Sequence, residues 1–154
     1  MRRIMKNYNK VRERRMGYSW VMDIVTMSDH SEEGYKYLIV LRDRASAFIQ
    51  LLPLKYRSEA TQAVSTWIKD LRANDLYKRL GYKVVSTIRT DHAGEWDDDC
   101  KKWQDAIVSK DTGLGVEMDY VSPDRHAQNP AERACGITEC VIKAILMQNN
   151  LPPY

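Results

Sequence analysis

The segment Tyr18–Met27, YSWVMDIVTM, constrains this chain more than any other. Its odd and even positions are both largely apolar, so neither face of the extended segment can be left in water. Such a strand belongs in the middle of a sheet, with neighbours on both edges and packed layers over both faces. Gly17 before it and the turn-rich stretch Ser28–Gly34 after it mark its ends. One residue breaks the pattern: Asp23 places a carboxylate among Val, Met, Ile and Val. An isolated buried charge is very costly, so this group must be ion-paired, hydrogen-bonded, protonated or metal-bound. A structural salt bridge to an arginine and a functional role are both open at this point.

The remaining elements are set by periodicity. Tyr35–Arg42 and Ala47–Leu54 read as two further strands, the first antiparallel to the central one through a hairpin loop. Pro53 is tolerable only at a strand end or a sheet edge. Ser58 is a candidate helix N-cap with Glu59 in the first turn. Ala60, Val64, Trp67, Ile68 and Leu71 then form one apolar helical stripe, which can run on to Leu80 with Gly81 as its stop. Lys83–Thr90 is expected as a fourth strand, Asp97–Ser109 as a second helix and Val116–Val121 as a fifth strand. After the polar loop Ser122–Asn129, Asn129 can cap a last helix with Pro130 at its first position. The order is βββαβαβα, an α/β arrangement without internal repeats.

Composition narrows the function classes. The chain has 154 residues, 29% charged and 44% apolar, which is a single globular domain with room for a short appendage. No apolar run approaches the roughly 18 residues of a membrane span, and the basic N-terminus has no apolar stretch behind it, so no membrane anchor and no secretory signal are expected. Three cysteines without a CxxC pair argue against a disulfide scaffold and for a reducing compartment. The net charge of +3 is unevenly distributed. Residues 1–15 carry seven basic groups and one acid, a net +6, while the rest of the chain is at −3. Residues 1–16 therefore read as a basic arm or linker suited to a polyanion such as nucleic acid, with Arg12, Arg14 and Arg15 as candidate contacts, or as a solvated linker.

Two more carboxylates stand out beside Asp23. Asp91, in TIRTDHAGEW, directly follows an apolar strand, where α/β sheets place ligand sites. Alone, it reads equally as a turn-starting Asp. Glu132, in QNPAER, falls in the first turn of the last helix, where an acid is favoured by the helix dipole in any case. Asp97, Asp98 and Asp99 read as the negative start of a helix. Sixty-seven residues lie between Asp23 and Asp91, and forty between Asp91 and Glu132. Lys143 lies eleven positions after Glu132, only about 20° off its helix face, although Glu139 shares that face and opposes an anion there. The scattered histidines and Cys135 and Cys140, five apart on a helix, fit zinc poorly.

Taken in order, WVMDIV, LIVLRDRASAF, RTDHAGEW and SPDRHAQNPAER resemble the catalytic core of integrases of retroviruses and long-terminal-repeat retrotransposons, the copia-type elements most of all. The resemblance runs from about Tyr18 to the final LPPY. It implies an RNase H-like fold with a mixed five-stranded sheet and flanking helices, over a core of residues 17–154 truncated at its C-terminus. It further implies metal-dependent polynucleotidyl transfer: 3′-end processing of element DNA, then strand transfer into target DNA. Asp23, Asp91 and Glu132 are then the catalytic, metal-holding carboxylates, with two Mg²⁺ or Mn²⁺ ions per site. Gln128 and Asn129 then position the active-site loop, while Lys143 is a candidate phosphate contact by its helix face alone. The expected partners are DNA and further copies of the chain, with no small-molecule substrate. The location is intracellular, and nuclear where host chromosomes are the target. The chain departs from the family pattern at Asn129-Pro130-Ala131, His92 and Gly136. The rivals are a catalytically silent, domesticated or decaying remnant that only binds nucleic acid or protein, and an RNase H-type hydrolase. The hydrolase needs a further helix-borne acid, for which Glu59 and Asp70 are the candidates.

Overall fold

The computed structural model describes residues 13–27, 33–91, 96, 100–120 and 136. Five strands form one sheet: β1 (Ser19–Thr26), β2 (Tyr37–Asp43), β3 (Ile49–Leu54), β4 (Thr87–Thr90) and β5 (Glu117–Tyr120). Their spatial order is β3-β2-β1-β4-β5, which puts the doubly apolar strand in the centre, as its pattern requires. β1 pairs antiparallel with β2 and parallel with β4, so the sheet is mixed. Pro53 sits on the edge strand β3, exposed, where a missing N–H disrupts no second ladder.

Strand alternation divides β1 between two layers. Trp20 and Met22 point into the main core, and Ile24 packs against it. Val21 is buried on the opposite face, and Val25 joins Val40 in a smaller apolar cluster there. Helix α1 (Ala60–Ala73) covers the first face with the expected stripe: Ala60, Val64, Trp67 and Ile68 are buried. Trp67 meets Trp20 edge to face, with ring centroids 4.9 Å apart.

Local departures from the expected boundaries have identifiable causes. Ser58 does not cap α1 but lies within a 3-10 turn, Arg57–Glu59. Glu59 fastens that turn: its Oε2 accepts from the N–H groups of Lys55 and Tyr56 at 3.0 Å each. The helix stops at Ala73 instead of continuing to Leu80, because Asn74 turns extended and caps a separate short helix, α2 (Asp75–Lys78), by accepting from the Leu76 N–H.

The fourth strand begins at Thr87, not Lys83. Val84 and Val85 are buried ahead of it, but their carbonyls are taken by the guanidinium of Arg72. Val85 also has a left-handed backbone (φ 49°), which no regular strand admits. The second major helix is described from α3 (Lys101–Trp103), which widens into a π-helical turn over Gln104–Val108. The expected helical start at Asp97–Asp99, the polar loop 122–129 and the last helix lie outside the described residues, except that Gly136 is helical.

Candidate active site

Asp23 and Asp91 reach the site on the two central parallel strands. The β1–β4 ladder pairs Ser19 with Thr87, Trp20 with Ile88 and Val21 with Arg89. The ladder ends there; counted on in the same register, Asp23 and Asp91 occupy equivalent positions two residues beyond its last pair. The alternation also matches. Ser19, Val21 and Asp23 share one face of β1, and Thr87 and Arg89 share the same face of β4, which Asp91 continues just beyond the strand end. The Thr87 hydroxyl donates to the Ser19 hydroxyl at 2.8 Å and fixes that common face. Asp23 therefore lies on the face opposite α1, and Asp91 directly follows the carboxyl end of the parallel strand β4, the position that open α/β sheets use for ligands.

The two groups differ in environment. Asp23 is half-buried, and its Oδ1 accepts from the Ile24 N–H at 2.8 Å, a local bond that fixes the carboxylate's orientation. Asp91 is half-buried as a residue, but its Oδ1, like the Thr90 hydroxyl beside it, is fully shielded and has no hydrogen-bond partner among the described residues. A shielded carboxylate oxygen without a donor is the costly arrangement that a bound cation relieves. Carboxylates brought to one site repel each other, and a divalent ion between them removes that cost. A hard, oxygen-preferring ion such as Mg²⁺ fits this donor set. Among the described residues no three His, Cys, Asp or Glu side chains converge on a metal position. Glu132, Gln128, Asn129, Lys143 and Arg12 lie outside the described residues.

Below the carboxylates stands an ion pair that sequence patterning does not single out. Arg89, two residues before Asp91 on the same face, donates from Nε and Nη2 to Asp119 Oδ2 at 2.7 and 2.6 Å. The pairing of β4 with β5 places them opposite each other. An arginine inside T-I-R-T, two positions from an anomalous acid, is the signal that period-2 reading offers for it.

The basic arm enters the described region at its end. Arg14 is exposed, and Arg15 is engaged within the chain. The Arg15 guanidinium binds Glu13 through Nε and Nη2, both at 3.1 Å, and lies 3.3 Å above the centre of the Tyr18 ring. These contacts hold the Glu13 carboxyl down from an ordinary 4.5 to about 2, the side-chain hydrogen bond from Arg15 being the main cause. Trp96 belongs to the core: it is fully buried against Trp103, with centroids 5.9 Å apart. Glu59 is spent on capping its turn, and Asp70 is exposed on α1, which packs on the face away from Asp23 and Asp91.

No protein-family model and no curated protein matches the sequence. Solved structures do match. A chain of the simian T-cell lymphotropic virus intasome in complex with PP2A regulatory subunit B56 gamma aligns with TM-score 0.65 and 18% identity, covering 93% of this chain and 46% of that one. This chain thus spans about half the length of that relative. The HTLV-2 integrase catalytic core domain in complex with magnesium aligns in its trimeric form with TM-score 0.54 and 17% identity, over 88% of this chain and 76% of that one. Its dimeric form aligns with TM-score 0.56 and 18% identity, over 88% and 77%. The mixed five-stranded sheet with flanking helices is the RNase H-like fold of an integrase catalytic core.

Proposed function

We propose that this chain is the catalytic core of a DNA-integrating polynucleotidyl transferase, of the kind carried by retroviruses and copia-type retrotransposons. The observation that carries the reading is the RNase H-like mixed sheet, with Asp23 on its central strand β1 and Asp91 directly after the parallel neighbour β4. The shielded Oδ1 of Asp91, without a hydrogen-bond partner among the described residues, supports it. Asp23 and Asp91, together with Glu132 from the last helix, hold two Mg²⁺ or Mn²⁺ ions in this proposal. When bound, such ions lower the charge cost at a phosphodiester under attack and stabilise the leaving oxygen.

The chain's own residues supply the rest. Asp23 is oriented by the Ile24 N–H and presents its carboxylate in a fixed direction. Gln128 and Asn129 position the neighbouring loop, and Lys143 with Arg12, Arg14 and Arg15 contacts DNA phosphates in the same proposal. The attacking group is water in 3′-end processing and the freed 3′ hydroxyl in strand transfer. The partners are element ends, target DNA and further copies of the chain, acting in the nucleus where host chromosomes are the target. The magnesium, the intasome and the dimeric and trimeric forms of the structural relatives are consistent with this. One sequence feature favours a silent remnant instead: Asn129-Pro130-Ala131 stiffens a loop that the resembling family keeps flexible.

Melting curves decide between them. A ligand that binds only the folded state stabilises it by RT ln(1 + [L]/Kd), about 1.4 kcal/mol at ten times Kd. Millimolar Mg²⁺ is expected to raise the melting temperature over EDTA. Asp91→Asn should keep the fold in EDTA while losing both the Mg²⁺ response and strand transfer. Wild-type protein with neither property is the remnant.

A further inference from the structure

Arg89 is a cation standing beside the candidate carboxylates. It pairs with Val21 on β1 and with Asp119 on β5, so the three side chains share one face of the sheet. Asp23 follows Val21 by two residues on that face, and Asp91 follows Arg89 by two residues in the chain. Spacings of about 3.3 Å along a strand and about 4.8 Å between strands put the Cα atoms of Asp23 and Arg89 about 8 Å apart, within the span of an extended arginine side chain and a carboxylate. The Oδ1 of Asp91 has no hydrogen-bond partner among the described residues, which makes it a strong acceptor for a guanidinium.

The guanidinium is nevertheless turned away. Its Nε and Nη2 lie 2.7 and 2.6 Å from one oxygen, Asp119 Oδ2, on β5 at the sheet edge. The two side chains keep 30% and 51% of their exposure, and a cross-strand ion pair that open to water contributes little to stability. Its larger consequence is where it holds a positive charge. An arginine folded onto Asp91 or Asp23 would neutralise the carboxylates from within and compete with a divalent cation for their oxygens. Glu117, opposite Thr87, is a second acid on the same face of β5, but it lies two residues before Asp119 and further from the strand end that carries Asp91.

We propose that Asp119 is a positioning residue for the candidate metal site: it holds the Arg89 guanidinium off Asp91 and Asp23 and so keeps their oxygens open to a divalent cation. This rests on the proposed function in one respect, that these carboxylates bind metal. Arg42 shares the face from β2, opposite Val21, and is present in every variant below, so it cancels in the comparison.

The test is a double-mutant cycle on Mg²⁺ affinity, measured by calorimetry, with melting temperatures in EDTA to establish that each variant is folded. Asp119→Ala should weaken Mg²⁺ binding about tenfold, Arg89→Gln alone should change it less than about twofold, and the double variant should return to within about twofold of wild type. Asp119→Glu, which keeps the carboxylate, should stay near wild type. If Arg89→Gln strengthens Mg²⁺ binding by the same factor with Asp119 present or absent, the two charges act independently through space and the proposal is overturned. Unchanged affinity in Asp119→Ala overturns it too. A crystal structure of Asp119→Ala grown in EDTA gives a readout without metal: the guanidinium should move to within hydrogen-bond distance of Asp91 or Asp23. A guanidinium found on Glu117 or in solvent overturns the proposal, and if that protein still binds Mg²⁺ and performs strand transfer, the integrase reading stands. A guanidinium found on Asp91 in a protein whose wild type binds no Mg²⁺ removes that reading and leaves the exchange of partners by Arg89 standing.

Discussion

Arg72 shows how much one side chain can organise. Its Nε, Nη1 and Nη2 donate to the carbonyls of Val84, Leu114 and Val85 at 3.1, 2.9 and 3.0 Å. These carbonyls precede β4 and β5, so one guanidinium ties α1 to the approach of both strands. Burial pushes its proton affinity down, but an arginine stays charged at any ordinary pH. Arg72→Met removes this donor from all three carbonyls, that of Leu114 keeping the Lys83 ammonium at 2.8 Å, and we expect a loss of about 3 kcal/mol, read as a lower urea midpoint at unchanged m. Arg72→Lys should recover little, because a single ammonium lacks the planar fork that reaches three acceptors. Glu13 gives a pH prediction at the same scale. Its carboxyl is depressed from 4.5 to about 2 by Arg15, so the Glu13–Arg15 link contributes fully above about 4.5 and is lost as pH falls toward 2. An NMR titration of the Glu13 carboxyl should show its midpoint near 2, and Arg15→Ala should return it to the ordinary range.

At the scale of elements, the π-helical turn Gln104–Val108 is held in place by the loop through Gly113. A Cβ added to Gly113 would stand 2.6 Å from the Asp105 carbonyl oxygen and 2.9 Å from that of Ala106, both backbone atoms that cannot swing aside. Gly113→Ala should therefore cost about 2 kcal/mol or more in thermal or urea unfolding. A loss of a few tenths would mean the turn can shift. β1, the β2 hairpin, β3 and α1 were legible in the sequence because each carries its own period: two faces of Tyr18–Met27, one stripe at Ala60, Val64, Trp67 and Ile68. The late start of β4 was not, since it depends on Arg72 reaching carbonyls 12 and 13 residues away. The break at Asn74 depends on one side chain accepting from Leu76. The site divides in the same way. Asp23 and Asp91 announce themselves as charges in or beside apolar strands, but only pairing reveals that their strands are parallel neighbours.

At the scale of the whole molecule, charge is divided as sharply as structure. Residues 1–15 carry +6 in front of a body at −3, so the arm is the obvious electrostatic contact for a polyanion. Its groups are not equivalent. Arg15 is engaged with Glu13 and stacked on Tyr18, and the Tyr82 hydroxyl donates to the Met16 carbonyl, so the arm's root is docked on the body. A docked root fixes where the preceding cations can reach. Deleting residues 1–12 should therefore weaken binding to every duplex sequence alike and flatten the dependence of log K on log[salt], by roughly 0.9 for each phosphate no longer neutralised. Deleting residues 1–16 should do the same and also lower the melting temperature slightly, because the Arg15–Tyr18 and Met16–Tyr82 interactions go with it. Arg15→Ala alone should change stability more than the salt slope if its guanidinium stays on Tyr18 in the complex. A salt slope lowered as much by Arg15→Ala as by removal of several arm cations would show that the guanidinium leaves Tyr18 for a phosphate. An unchanged slope after removal of residues 1–12 would make the arm a solvated linker.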